Sequence, residues 1–133
     1  MLKDFDFREK KLKVGIAIVK EGEEEFNTYI VNFRKETLKT VLITSKGYGE
    51  IDGRKKETTV FRRLIEELPG ESAMKFEPIS PEVFAVFNEF WVSFVSEKDG
   101  MLDRKFLFAP GSIDELNFIE IPFLDTKGVM IKQ

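Results

Sequence analysis

The 133-residue chain contains no histidine and no cysteine. That removes imidazole general bases, thiol nucleophiles, Ser-His-Asp triads and the usual zinc ligand sets in one step. Carboxylates are the remaining acid/base groups. Glu89, next to Trp91 in an apolar run, is the carboxylate whose surroundings would most favour a raised pKa. A single carboxylate makes no hydrolytic pair, and Asp99, Asp103 and the cluster Glu23 to Glu25 lack the spacing of a calcium loop. The sequence therefore assigns no catalytic residue, no cofactor and no metal ligand.

Two constellations point to binding instead. Gly47-Tyr48-Gly49 with Gly53 would let backbone amides cradle a phosphate beside Lys46, Arg54, Lys55 and Lys56. The spacing matches neither G-x-G-x-x-G nor the P-loop, so a surface turn with positive-φ glycines is the plainer reading. The wider basic set Lys46, Arg54, Lys55, Lys56, Arg62 and Arg63, with nearby aromatics, has the composition of a single-strand nucleic-acid surface. The plainer reading there is a solvated face. Lys46, Tyr48, Arg54, Lys55 and Lys56 form the candidate contact loop, with Tyr48 expected to stand exposed between its glycines. Phe84, Phe87, Phe90, Trp91 and Phe94 would line a pocket or, more plainly, fill the core.

These residues must be positioned by short strands. Val14, Ile16 and Ile18 alternate with Lys13, Gly15 and Ala17, and Tyr29, Val31 and Phe33 alternate with Phe26, Thr28 and Ile30. Thr40 to Thr44 is rich in β-branched residues, and Ser45 to Arg54 reads as a loop or wide hairpin. Phe90, Val92 and Phe94 alternate with Trp91, Ser93 and Val95 in a strand expected to be covered on both faces. Glu97-Lys98-Asp99-Gly100 then turns the chain into a return strand from Arg104 to Ala109. Pro122 in the run Ile119 to Phe123 marks an edge, and Val129 with Ile131 adds a last short piece. Over 59–68 the spacing of Val60, Phe61, Leu64, Ile65 and Leu68 predicts a short helix, whereas Thr58, Thr59 and the following turn favour a strand. Ser80-Pro81-Glu82 can open one helical turn.

The expected fold is thus one all-β domain over 1–133, an antiparallel immunoglobulin-like sandwich of seven or eight strands behind a polar arm at 1–11. Its predicted core is Val14, Ile16, Ile18, Ile30, Val41, Ile43, Phe90, Val92, Phe94, Phe106 and Phe108. Fourteen Phe against two Tyr fit such packing, since Phe brings bulk without a polar tip. The net charge is −3, unevenly spread, with residues 46–63 holding six basic and three acidic groups and residues 64–133 holding six and thirteen. No overall basic field recommends nucleic acid or anionic lipid as a partner. The N-terminus lacks the apolar run of a signal peptide, and no stretch reaches the length of a membrane helix, so a cytoplasmic location is expected.

The runs Phe26 to Asn32 and Leu38 to Ile43, with Leu68-Pro69-Gly70-Glu71-Ser72, resemble the strands and turn of bacterial immunoglobulin-like domains. Ser45-Lys46-Gly47-Tyr48, Asn88 to Phe94 and Lys127-Gly128-Val129-Met130 are similar to a family of small bacterial single-domain proteins of uncharacterised activity. Some of that family carry the label phenylalanyl-tRNA synthetase subunit. The resemblance implies no activity, and no residue matches a synthetase motif. The functional expectation is a non-enzymatic interaction module with a protein partner; the alternatives are a nucleic-acid- or tRNA-associated accessory protein and a small-molecule or carbohydrate-binding domain.

Overall fold

A computed structural model describes residues 11–133; the predicted polar arm falls outside them except for Lys11. Ten strands are found there: β1 (Val14–Lys20), β2 (Phe26–Asn32), β3 (Leu38–Ile51), β4 (Arg54–Glu57), β5 (Phe61–Leu68), β6 (Ser72–Ile79), β7 (Phe87–Ser96), β8 (Gly100–Phe108), β9 (Ile119–Glu120) and β10 (Lys127–Lys132). They form two antiparallel sheets, one in the order β6-β2-β1-β10-β9 and the other in the order β4-β3-β7-β8, with β5 also on β3. The fold is an all-β sandwich. Its strand number exceeds the expected seven or eight because 54–57 and 61–68 both form strands, β4 and β5, beside β3.

The core lies between the sheets. Every residue of the predicted core is buried, joined by Leu12, Leu38, Ile65, Leu68 and Phe76. The alternating pattern succeeds because one face of each strand meets the other sheet and is removed from water, while a one-residue slip would expose the whole apolar set. Phe90 sits at the centre, edge-on to Phe76 at 6.0 Å and to Phe108 at 5.7 Å between ring centroids.

The segment over 59–68 is a strand, not the short helix its spacing suggested. Ile65 pairs with Val41 and Leu68 with Leu38, and both pairs are buried. Thr40 has φ of 50°, and there the inward set of β3 shifts from Val41 to Leu38. The three-residue interval between Ile65 and Leu68 therefore comes from a switch of face in paired strands. Leu64, which completes the helical stripe on paper, points to the other side and is exposed.

Of the two readings of the segment after Ser45, loop or wide hairpin, the structure has the hairpin. β3 runs on to Ile51 and turns back through Asp52 and Gly53, at φ of 52° and 75°, into β4. Two left-handed residues are what a two-residue hairpin turn with the proper twist requires, and Asp-Gly supplies them. The Thr58 N–H donates to the Gly47 carbonyl at 2.9 Å, and the Gly47 N–H donates to the Thr58 side-chain hydroxyl at 2.7 Å. Ser45 already pairs with Phe61, so Thr59 and Val60 face Lys46 alone. This is a β-bulge, and it separates β4 from β5.

One end of the sandwich is tied together by a buried cation. Arg34 Nε donates to the Leu12 carbonyl at 2.7 Å, and Nη1 donates to Asp99 at 2.8 Å, to Glu36 at 3.3 Å and to Ser96 at 3.3 Å. Its guanidinium lies 5.6 Å from the centre of the Phe94 ring. The Ser96 hydroxyl also donates to Glu36 at 2.7 Å. The entry to β1, the β2–β3 turn and the β7–β8 turn thus share one network. The hydrogen bond from Ser96, followed by that from the Lys98 backbone and then by the Arg34 charge, holds the Glu36 carboxyl below its usual range despite partial burial.

Candidate functional site

The two sheets differ on their outer faces. Ala17, Val19, Tyr29 and Val31 on the outer side of β1 and β2 are buried in a second cluster with Ile121, against which Leu124 and Met130 pack. The corresponding face of the other sheet is open. Trp91 there is 45% exposed, and Leu42, Leu64, Val95, Met101 and Leu107 are exposed around it. The expectation that this part of β7 is covered on both faces is thereby corrected: Phe90, Val92 and Phe94 face the core, but Trp91 and Val95 face outward.

Strand register places these side chains in rows. Thr44 pairs with Arg62 on one side and Trp91 on the other, and Trp91 pairs with Lys105, giving the row Arg62, Thr44, Trp91, Lys105. The next row is Leu64, Leu42, Ser93, Asp103, and the row beyond Trp91 is Lys46, Glu89, Leu107. Directly paired residues on one face of a sheet have Cβ atoms about 5 Å apart, so the rows form one continuous surface. Trp91 is its largest side chain, with cations at both ends of its row.

The candidate contact residues divide between this surface and the hairpin tip. Lys46 and Tyr48 come together with Glu89: Lys46 Nζ lies 3.8 Å from the Glu89 carboxylate, Lys105 Nζ lies 4.0 Å from it, and the Tyr48 hydroxyl donates to it at 3.2 Å. The Tyr48 ring stacks on Phe87 at 5.6 Å, with Lys46 Nζ 5.5 Å from its centroid. Tyr48 is half-buried rather than free, and burial, followed by the Glu89 charge and hydrogen bond, pushes its hydroxyl pKa up. Arg54, Lys55 and Lys56 are exposed on β4, beyond that cluster.

Glu89 is thus set among two lysines and a phenol, and not in the apolar pocket expected of a catalytic acid. The carboxylate that burial does push up is Glu77, with only the Ser45 hydroxyl, at 2.6 Å, acting against that rise. The residues of the pocket alternative also separate. Phe90 and Phe94 are core, Phe84 packs edge-on to Phe26 at 4.9 Å, Phe87 supports Tyr48, and Trp91 is on the surface. The open face was concealed in the sequence by the helical reading of 59–68, which put Leu64 with Ile65 on one stripe. The signal that reveals it is the alternation of Arg62 and Leu64 beside that of Trp91, Ser93 and Val95.

No protein-family model matches the chain, and neither does any curated protein or solved structure.

Proposed function

We propose that the protein is a non-enzymatic interaction module that binds another protein through the outer face of β5, β3, β7 and β8, with Trp91 as the central anchor. The observation that carries this reading is the contrast between the two outer faces. One is sealed by the chain's own residues at Ile121 and Leu124, while the other leaves Trp91, Leu42 and Leu64 in water. An aromatic anchor amid aliphatic residues, with arginine and lysine at the margin, is the composition of energetically dominant interface patches. The partner surface that fits is apolar at its centre, with carboxylates opposite Arg62 and Lys39. The lack of imidazole and thiol groups supports a role without turnover, and the absence of cysteine fits a cytoplasmic setting. Two antiparallel sheets with crossings between them support the immunoglobulin-like kinship.

The row Arg62, Thr44, Trp91, Lys105 also favours a second reading, stacking of a nucleic-acid base on Trp91 with phosphates beside the cations. Glu89 and Asp103 on the same surface weaken the field that reading needs. The test is affinity capture from native lysate, with protein and RNA both analysed, followed by titration of the purified captured molecule. Trp91→Ala should weaken a purified protein partner at least tenfold while leaving the protein folded. Tyr48→Ala combined with Arg54, Lys55 and Lys56 changed to Glu should have a smaller effect. RNA binding that falls steeply with salt, self-association through the same face, or a partner indifferent to Trp91→Ala would each refute the proposal.

A further inference from the structure

A second opening lies at the other side of β3, where the sandwich parts between β6 and the bulge at Thr59 and Val60. It is a cleft of about 170 Å³ with Phe90 among its walls, joined by Val83, and with Ser45, Thr58, Glu77 and Asn88 lining it. The volume is close to the roughly 150 Å³ of an apolar cavity that accommodates benzene.

The inner polar groups of this cleft, Asn88 and Glu77, offer acceptors. Asn88, 4% exposed, donates through Nδ2 to the carbonyls of Val83 at 2.9 Å and Val86 at 3.1 Å. Those two carbonyls fix the amide, so its Oδ1 is turned towards Gly47, within 3.5 Å of where a Cβ on that glycine would be. Among the described residues, no donor reaches that oxygen. The Ser45 hydroxyl spends its hydrogen on Glu77 Oε1 at 2.6 Å, and the Thr58 hydroxyl accepts from the Gly47 amide. Glu77 Oε2 likewise receives no donor from the described residues, and no cation offsets the burial that holds its carboxyl above the usual range. Lys46, whose stem borders the cleft, directs its ammonium to Glu89 on the outer face. The cleft therefore presents the Asn88 carbonyl oxygen and an uncompensated carboxylate against an aromatic wall, with the hydroxyls of Thr59 and Ser80, which can donate or accept, also in its lining.

We propose that this cleft binds a small organic ammonium, its N–H groups shared between Glu77 and Asn88 Oδ1 and its apolar body against Phe90 and Val83. A half-buried carboxylate with one partner is improved by a charged donor more than by a neutral one, because the ligand supplies both a further hydrogen bond and the missing counter-charge. The site is distinct from the outer face around Trp91, and its test is independent of that face.

Benzylammonium is a probe of the required size and charge, and benzyl alcohol and benzoate are its neutral and anionic counterparts. Titration of the whole protein, followed by amide NMR, should show saturable shifts at Ser45, Gly47, Thr58, Glu77 and Asn88 with benzylammonium. The alcohol should bind at least tenfold more weakly, and benzoate should leave these amides unmoved. Glu77→Gln keeps the shape and removes the charge, and should weaken benzylammonium at least tenfold; Ser45→Ala should bind it no more than a few-fold differently. Equal binding of the alcohol, unchanged binding by Glu77→Gln, or no saturation by about 10 mM benzylammonium, a concentration well above that of a millimolar site, would overturn the proposal. The comparison of the three probes on the unaltered protein decides the matter even if a variant fails to fold.

Discussion

Replacing the buried Arg34 by alanine should be among the most damaging single changes in this chain, because one guanidinium serves three separate segments. Removing it leaves the buried Leu12 carbonyl without its donor at 2.7 Å, and leaves Glu36 and Asp99 without their shared cation. An orphaned buried acceptor costs about 1 to 3 kcal/mol. Breaking a fully buried ion pair costs about 3 to 5 kcal/mol, but the side chains of Glu36 and Asp99 are 23% and 28% exposed, so water compensates part of that loss. The aliphatic stem and its contact with Phe94 are lost as well. Together these terms place the destabilisation at roughly 3 kcal/mol. With a urea m-value of about 2 kcal/mol per M, the unfolding midpoint should fall by about 1.5 M. Arg34→Lys should recover less than half of the loss, since a point charge on a flexible stem cannot engage Leu12, Ser96 and Asp99 at once. A fall worth less than about 1 kcal/mol, or full rescue by lysine, would refute the assignment of this network as the clasp of that end.

Phe94→Ala should cost about 3 to 5 kcal/mol by urea unfolding, because the ring is 1% exposed; a loss under about 1 kcal/mol would contradict its place in the core. Gly128→Ala should cost more than Gly53→Ala. A Cβ at Gly128 would overlap the Ile18 carbonyl oxygen across the β1–β10 ladder, whereas Gly53 has nothing within 4 Å and carries only the penalty of its positive φ. Similar midpoints for the two variants would show that β10 can shift without loss. The carboxylates predict opposite pH trends. Glu36, held below its usual range, contributes stability that is complete above the unfolded carboxyl pKa of about 4.3 and is lost as pH falls through the lower folded value. Glu77, raised by burial, contributes stability that is complete below the unfolded value and is lost as pH rises through the higher folded value. Urea midpoints at acid and neutral pH should therefore show Glu36→Gln most damaging at neutral pH, and Glu77→Gln relatively more favourable there than in acid. The reverse order would invalidate both environments.

The sequence by itself determined the fold class and the inward faces of the main strands. Alternation in Val14 to Ile18, Phe90 to Phe94 and Phe106 to Phe108 is a local record of burial, since each second residue of a strand must share one face. The absence of imidazole and thiol side chains is likewise a matter of residue types alone. Three features depended on tertiary structure. The helix-like spacing of 59–68 resolved into a strand because β3 offered a paired edge and because the switch at Thr40 changed faces in both strands. Exposure of Trp91 was decided by which sheet face is covered by a distant segment, and Ile121 and Leu124 cover the other sheet. The surroundings of Glu89, read from the sequence as apolar, and those of Glu77, on which the sequence is silent, were also set by tertiary contacts, since Lys46 and Lys105 reach Glu89 across strands while Glu77 faces the cleft with Ser45. Neighbours in sequence do not reveal such contacts, because the charges and walls that set a site's chemistry come from strands tens of residues apart.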